Sequence, residues 1–414
     1  MSMRDASLPP RLSPAGVVYT AATREAPLLA DFAADLAARG WRVGGLVQRT
    51  VRGPDGFKQK IVATELDTGR KVTLATYKGD RTKESACGFD TAALAEATGA
   101  VRRAVAERMD LIVIEKFSRQ ETDGEGLLDE ILGAMAEGIP TLTLVSAETL
   151  EDWTRFTGGL AQLVPAERRA LWRWWGPHRL YRDLELGVGG GTARNVVIGL
   201  NWVLVEGPHG CGLAQTPERG TAGCRSSADA GPLVGRPLRE LAARIHSWDP
   251  LEAAVGLAAV NAFYNRRDLE AVADNGLDSL PTGEAPVTVV GRFPGLAERL
   301  PGARVIERLP EAGEYPPTAA RWLLAASERA VITASALVDH GLPDLLAAAG
   351  EARVALVGPS TPLTPRLFPY GIERLCGLVV EDAKGAARAV AEGASMRALK
   401  PYGRMAALID LGSP

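Results

Sequence analysis

The chain has 414 residues, of which 46% are hydrophobic and 23% charged, and its formal net charge is −3. This length accommodates two or three domains, and the near-neutral balance excludes the broad basic field expected of a nucleic-acid or membrane-surface protein. No apolar run approaches the roughly 20 residues of a membrane span. The four cysteines, at positions 87, 211, 224 and 376, are too few and too scattered for a disulfide scaffold. We therefore expect a cytoplasmic protein with no membrane or nucleic-acid partner, preceded by a short disordered leader over residues 1–14.

Residues 15–176 alternate between strand-type and helix-type patterns, which predicts an α/β domain with a parallel sheet covered by helices on both faces. Gly40 ends the first helix at a position where a left-handed cap is expected. The predicted strands cover 16–20, 41–49, 61–66, 71–75, 110–117 and 140–146, with helices over 24–40, 89–107 and 124–138.

The first strand-to-helix junction, YTAATREAPLL, occupies the place of a phosphate-binding loop. DLIVIE, which ends at Glu115, has an acidic end like that of a Walker B strand. However, the chain contains no G-x-x-x-x-G-K-[ST], so it lacks the glycine-rich amide nest and the lysine that bind β- and γ-phosphates. The sequence therefore argues against a nucleotide cofactor in the first domain and favours a partner or regulatory module that docks another protein.

Arginine and tryptophan interleave between residues 160 and 186, in ERRALWRWWGPHRLYRDLEL. Such a pattern occurs in nucleic-acid and membrane contacts, but one short cluster in an acidic chain favours packing of one domain on the next, with the arginine heads in water. Gly176 and the following proline interrupt any helix, so we place the domain boundary there.

The middle segment, residues 177–280, is predicted to be a small α+β domain with a glycine triplet at 189–191 as a hinge and an alternating strand after it. Histidine and cysteine lie close together in the sequence at His209, Cys211 and Cys224. An imidazole and two thiolates suit a soft or borderline transition metal. The alternative is a pair of buried thiols in a β-hairpin.

The sequence predicts the N-terminus of a helix over residues 249–265. Asp249 is the expected N-cap, Pro250 takes the first helical position, and Glu252 is expected to reach back as in a capping box. Its small apolar interior allows close approach by another backbone. Asn261 and Asn265 lie at its far end, where they either bind a ligand at a domain cleft or hydrogen-bond neighbouring elements.

The last domain, residues 281–414, carries apolar runs at 287–290, 303–307, 329–335 and 352–360 that read as parallel strands of a Rossmann-like sheet. Ligands of open α/β sheets bind outside the carboxyl ends of the strands. No G-x-G-x-x-G occurs, so the standard dinucleotide fingerprint is not supported. The predicted ligand-binding residues at these strand ends are Gly291, Arg292, Phe293, Glu307, Thr333, Ser335, Gly358, Ser360 and Thr361.

Residues 44–159 resemble the family known as domain of unknown function 2478, through GGLVQ, CGFD, DLIVIEKFSRQETDGEG and GIPTLTLV. The resemblance implies a P-loop-like fold and an association with molybdenum transport.

Residues 195–390 resemble the heavy-metal chelation family, domain of unknown function 364, with its partner domain 4213. The matching segments include GCGLAQTP, SWDPLEAAVGLAAVNAFYNR, VVGRFPGLAERL and GPSTPLTPRLFPYGIERLCGLVV. The resemblance implies an enolase-N-terminal-like α+β piece packed on a Rossmann-like domain, and a role in metal handling. Where this pattern has a Gly-Thr-Thr-Leu-Val-Asn-like segment, the chain has ASALVD at 334–339.

Three functions follow as hypotheses. The first is a metal-handling protein that binds a transition metal, a metal chelate or an oxyanion such as molybdate in the cleft between the middle and last domains. The second is a transferase-like enzyme acting on a nucleotide-containing or amino-acid-derived small molecule in the same crevice. The third is a non-catalytic scaffold or regulator, and all three leave a homo-oligomer open.

Overall fold

The computed structural model describes two compact units, with the division between Trp175 and Gly176. Residues 1–11 of the expected leader, Cys87 and Cys224 lie outside the described part of the chain. The described residues are 12–20, 23, 27–77, 90–217, 230–277 and 286–411.

The first unit is built on a seven-stranded, mostly parallel sheet of order β4-β3-β2-β5-β6-β1-β7. Strands β2, β5, β6, β1 and β7 run parallel, and β3 and β4 extend one edge as an antiparallel hairpin. Its strands are β1 Ala15–Tyr19, β2 Val43–Arg52, β3 Lys58–Glu65, β4 Lys71–Thr76, β5 Leu111–Phe117, β6 Thr141–Ser146 and β7 Gln162–Pro165. Its helices are α1 Leu28–Ala38, α2 Thr91–Ala106, α3 Arg119–Thr122, α4 Leu128–Ala136, α5 Leu150–Phe156 and α6 Arg168–Trp175.

The tryptophans of α6 pack inside this first unit. Trp172 and Trp175 each make an edge contact with Phe32 of α1, and Trp175 makes another with Trp41. All four side chains are at most 8% exposed. These rings complete the core of their own unit, because α6 lies against α1. The expected role of this segment in packing one domain on the next stays a prediction.

The second unit combines a three-stranded antiparallel sheet of order β10-β9-β8 with a six-stranded sheet of order β12-β11-β13-β14-β15-β16. The larger sheet is parallel except for β16. Its strands are β8 Asn195–Ile198, β9 Trp202–Glu206, β10 Cys211–Gln215, β11 Val287–Val290, β12 Arg304–Ile306, β13 Arg329–Thr333, β14 Arg353–Val357, β15 Ile372–Val380 and β16 Gly403–Ile409. Its helices are α7 Leu180–Leu186, α8 Leu238–Ala242, α9 Pro250–Tyr264, α10 Leu296–Arg299, α11 Ala320–Ala325, α12 Leu342–Ala349, α13 Ala383–Ala391 and α14 Met396–Leu399.

The two sheets of this unit share a hydrophobic core. Trp202 and Leu213 of the small sheet cluster with Leu378 of β15 and Val390 of α13. The predicted α/β class is confirmed, with an α+β piece and a mostly parallel sheet in the C-terminal half. One detail is corrected: the alternating strand expected after the glycine triplet is a hairpin, β8 and β9, because the chain turns at Gly199, where a Cβ would meet the carbonyl of Val390.

Helix α9 is buried along most of its length, and the N-cap and first residue at its start are as expected. Asp249 accepts hydrogen bonds from the N–H groups of Leu251 and Glu252 and Pro250 is the first residue. The Glu252 carboxylate instead forms an ion pair with Arg244 at 2.5 Å. A nearly continuous small apolar surface lets backbone atoms of neighbouring elements approach the helix from more than one side.

Candidate functional site at the carboxyl edge of the C-terminal sheet

The larger sheet of the second unit reverses its strand order at β11, which lies between β12 and β13. The chain leaves β11 towards one side to form β12 and then crosses to the other side to form β13. A crevice opens at such a reversal because the connections leave on opposite faces. The carboxyl ends of β11 and β13 are therefore the place to look for a ligand.

Gly291 brings these two strand ends into close contact. Its φ is +97°, and a Cβ at this position would lie 2.8 Å from Cγ2 of Thr333. Its N–H donates to the carbonyl of Ile306 at 2.9 Å. A larger residue would be strained both by this φ and by the contact, so the crevice requires glycine here.

Thr333 and Ser335 place two neighbouring hydroxyl groups at the end of β13. Their hydroxyl oxygens lie 3.0 Å apart, and the N–H of Ser335 donates to Oγ1 of Thr333 at 3.4 Å. This bond caps a short 3-10 turn over Ala334–Leu337. Both residues are partly exposed.

Arg292 and two acidic residues make a paired charged group beside Gly291. Its guanidinium lies 2.7 Å from Oε2 of Glu314 and 3.1 Å from Oε1 of Glu311. The hydrogen bond to Glu314 raises the pKa of Arg292, and the same bond lowers the pKa of Glu314. From the sequence, Glu307 could pair with Arg292 or with Arg308. The ion-pair partners of Arg292 are two carboxylates from the segment after β12.

A second arginine, with its own acidic neighbours, lies on the segment after β12. Arg308 forms an ion pair with Asp339, which follows the 3-10 turn after β13. Oε1 of Glu307 accepts a hydrogen bond from the N–H of Arg308 at 2.7 Å. We call Arg292, Glu307, Arg308, Glu311, Glu314 and Asp339 the charged rim; it contains two arginines and four carboxylates.

Four of the predicted ligand residues are buried in the interior. Ser360, Thr361, Asn261 and Asn265 are at most 2% exposed. Ser360 Oγ accepts a hydrogen bond from the N–H of Gln215 at 3.0 Å. Ser360 is predicted to bind a ligand at the strand ends, but its hydroxyl accepts from β10 instead, because the loop after β14 turns inwards to meet α9 and the small sheet.

Two further predicted residues shape the surroundings. Gly358 has a φ of +128° and donates its N–H to the carbonyl of Cys376, and a Cβ there would come within 3.9 Å of the N–H nitrogen of Ala334. This places the ends of β13 and β14 side by side. Phe293 is half-buried and packs against an apolar cluster that includes Val289 and Leu296.

Aromatic and histidine side chains missed from the sequence gather beside the charged rim. The His340 ring lies between Tyr181 and Trp248, with ring centroids 4.7 and 4.8 Å away. His340 Nε2 is 3.0 Å from the carbonyl of Ser247, and His340 has a φ of +61°. These residues come from three distant segments, so spacing in the sequence carried no signal of their contact.

One solved structure is similar to more than half of this chain. A crystal structure of a protein from the DUF364 family of Desulfitobacterium hafniense is 31% identical, with a TM-score of 0.51, and covers 56% of this chain and 97% of that one. The chain belongs to the DUF364 family. Residues 276–409 match the DUF364 family and residues 181–264 match DUF4213, both described as "Putative heavy-metal chelation".

Other matches are more limited. A DUF364-family structure from Pyrococcus horikoshii is 20% identical, with a TM-score of 0.49, over 56% of this chain and 98% of that one. Residues 14–174 match DUF2478, described as a protein of unknown function. The N-terminal part of this DUF364 chain is also 45% identical over 148 residues to a molybdenum import ATP-binding protein, ModC 2, of Bradyrhizobium diazoefficiens. That match is 36% of this chain and spans 16% of the relative's length.

The predicted metal ligands of this DUF364 chain lie in contrasting surroundings. Cys211 is fully buried in the apolar cluster of β9, β10 and α13, and burial raises the pKa of its thiol to about 12. His209 is exposed in the turn before it. Within the described ranges, no three His, Cys, Asp or Glu side chains are grouped to hold a metal ion. Because Cys224 lies outside those ranges, the three-residue set stays a prediction.

The Walker B-like position of the first unit holds a half-buried acid, Glu115. Oε2 of Glu115 accepts a hydrogen bond from the N–H of Gln48 at 3.0 Å, and burial raises the pKa of this carboxyl to about 6. The absence of a nucleotide in this unit remains a prediction. None of the helices in the described ranges is long and apolar enough to cross a membrane.

Proposed function

We propose that this DUF364 chain is a cytoplasmic metal-handling protein that binds a metal species at the carboxyl edge of β11 and β13. The observation that carries this proposal is the charged rim beside the strand-order reversal. Two arginines and four carboxylates lie there, so the rim has an excess of two negative charges when all six are ionised. Such a surface favours a cation over an anion. The family description supports a metal as that cation.

The state of the side chains favours a metal that arrives inside a small-molecule chelate. The carboxylates of Glu311, Glu314 and Asp339 already accept from arginine. Burial raises the pKa of the Cys211 thiol, which disfavours the thiolate form that binds metal. A chelator that supplies the metal's inner ligands leaves the protein only the outer contacts to make.

Outer contacts of this kind are available in the crevice. The Thr333 and Ser335 hydroxyls can donate to or accept from polar atoms of a chelator, and the charged rim attracts the net positive charge of the complex. Free molybdate carries two negative charges and would be repelled by the same carboxylates. The name of the first unit's relative makes molybdenum one of the metals to include in the test, and a cationic complex is the form we expect.

The decisive experiment uses one metal in two forms. Isothermal titration calorimetry compares the dipositive complex of nickel with triethylenetetramine, free Ni²⁺ and molybdate. We expect the complex to bind more tightly than either of the other two. Tighter binding of free Ni²⁺ would contradict the chelate, and tighter binding of molybdate would contradict the cationic site.

A matched pair of rim variants tests the location. Arg292→Ala releases two carboxylates and should strengthen binding of the nickel complex by about threefold, whereas Glu314→Gln should weaken it by a similar factor, as expected for exposed charges. Both changes should be reduced by added salt. Equal affinities of the two variants for the complex would place the metal species elsewhere.

A further inference from the structure

Two asparagines on one face of α9 meet the loop after β14, and one of them is fully hydrogen-bonded. Nδ2 of Asn265 donates to the carbonyl of Thr361 at 3.0 Å, and its Oδ1 accepts from the N–H of Leu363 at 2.8 Å. Asn265 is 0% exposed. It shows that this contact between helix and loop can satisfy both ends of a buried amide.

Asn261, one helical turn earlier, is satisfied at only one end. Its Nδ2 donates to the carbonyls of Leu213 at 2.8 Å and Ser360 at 2.9 Å. Because both neighbours are acceptors, rotation of the amide would bring oxygen against oxygen, so its orientation is determined. The Oδ1 atom is therefore directed away from them. It is buried and finds no hydrogen-bond partner among the described residues.

Thr361 has a second unsatisfied atom at the same contact. This residue follows Ser360, whose carbonyl accepts from Asn261, and it is 0% exposed. Its Oγ1 also lacks a hydrogen-bond partner within the described ranges. A buried polar atom without a partner is costly, and native structures leave few of them. Asn261 and Thr361 therefore each leave one such atom at the contact between α9 and the loop after β14.

We propose that an internal water molecule binds between Asn261 Oδ1 and Thr361 Oγ1. Asn261 Oδ1 requires a donor, whereas the threonine hydroxyl can donate or accept. A water molecule can therefore donate one hydrogen bond to Asn261 Oδ1, and it can either donate to or accept from Thr361 Oγ1. The two side chains are neutral, so an ion would remain uncompensated in this interior. Internal waters typically satisfy buried polar groups in this manner.

The packing around the two residues explains why the molecule is small. A Cβ on Gly212 of β10 would collide with the backbone of α9 at Ala258, and one on Gly377 of β15 would lie 3.3 Å from Cβ of Thr361. Close packing of strand on helix and of strand on loop at these positions disfavours a larger ligand. This inference does not depend on the metal species proposed above.

A crystal structure of the full chain at a resolution that shows ordered water tests the proposal directly. We expect an electron-density peak within about 3 Å of both oxygen atoms. A direct hydrogen bond between the two side chains, or a dry gap between them, would overturn it.

Thermal unfolding of two variants gives an independent test whose sign depends on the water. With a bound water, Thr361→Val removes one of its partners and should lower the melting temperature of the second unit by about 2–4 °C. Without one, the same change replaces an unsatisfied hydroxyl by a methyl group of similar shape and should raise it. Thr361→Ser keeps the hydroxyl, so the density peak should persist in its crystal structure; loss of the peak in this variant would also count against the proposal.

Discussion

His340 is held with a positive φ of +61° between the rings of Tyr181 and Trp248. A non-glycine residue in this region of φ is uncommon, although Asn and His are enriched there. Burial, with a smaller contribution from His246, lowers the pKa of His340 below its ordinary value of 6.5. The folded protein therefore favours the neutral imidazole.

This residue predicts a loss of stability in mild acid. Below pH 6.5 His340 is protonated in the unfolded chain, whereas in the folded protein it becomes protonated only at a lower pH. The free energy of unfolding of the second unit should therefore fall as the pH falls through 6.5. His340→Asn tolerates the positive φ and removes the titrating group, so its free energy of unfolding should fall less steeply between pH 7 and pH 5 in urea titrations.

The control for this prediction is His209→Asn, because His209 is exposed in a turn. That variant should keep the pH dependence of the natural chain. Equal slopes for the natural chain and His340→Asn would mean that another group governs the response.

Glu185 affects stability at lower pH. Burial opposes its charge, but hydrogen bonds from His246 and Arg182 hold its pKa below the ordinary value. Its contribution to the free energy of unfolding is therefore lost only as the pH falls below about 4.5.

At the scale of elements, α9 organises the second unit because backbone approaches it directly. A Cβ on Gly256 would collide with the backbone nitrogen of Ile245, in the turn that follows α8. Backbone atoms in this position cannot move aside as the end of a flexible side chain can. The glycine is therefore required by packing, although its position inside a helix is intrinsically unfavourable.

Two glycine-to-alanine changes in helices should consequently have opposite effects. Gly256→Ala should destabilise the second unit by about 3 kcal/mol, the upper part of the range for overpacked cores. Gly99→Ala in α2 meets nothing within 4 Å and should stabilise the first unit by about 0.5–1 kcal/mol. Each value is measured in the urea unfolding transition of the unit that carries the change. A neutral Gly256→Ala would show that α8 and α9 can separate without cost.

At the scale of the whole molecule, the contacts of α6 determine where the chain can be divided. Leu171, Trp172, Trp174 and Trp175 are at most 5% exposed, and Nε1 of Trp174 donates to the carbonyl of Ser13 at 3.1 Å. The last residues of the first unit thus complete its core and bond its first described strand region. We infer that a domain boundary lies after them.

Truncation on either side of α6 tests this boundary. A fragment of residues 1–175 should unfold cooperatively with a near-ultraviolet circular dichroism signal from its packed tryptophans, and so should a fragment of residues 176–414. A fragment of residues 1–167 lacks four buried apolar side chains, each worth a few kcal/mol, which together exceed a typical domain stability of about 5–15 kcal/mol. A cooperative transition in the shorter fragment would move the boundary before α6.

Much of the fold was determined by local patterns in the sequence. Apolar runs such as 287–290 predicted the strands, and Asp249 followed by Pro250 predicted the start of α9, because strand period and helix capping depend on residues close in the chain. The end of β11 at Gly291 was located for the same reason. The family resemblances of both halves are likewise confirmed.

Only the tertiary structure decided which polar side chains at those strand ends can meet a ligand. Thr333 remains at the crevice, whereas Thr361 is carried inwards by the loop after β14 and packs beneath α9. Arg292 acquires its carboxylate partners, and His340 its aromatic neighbours, from other segments of the chain. The sequence by itself therefore determined the elements and where they end. Burial and charge pairing at those ends depend on contacts between distant segments, which no local pattern encodes.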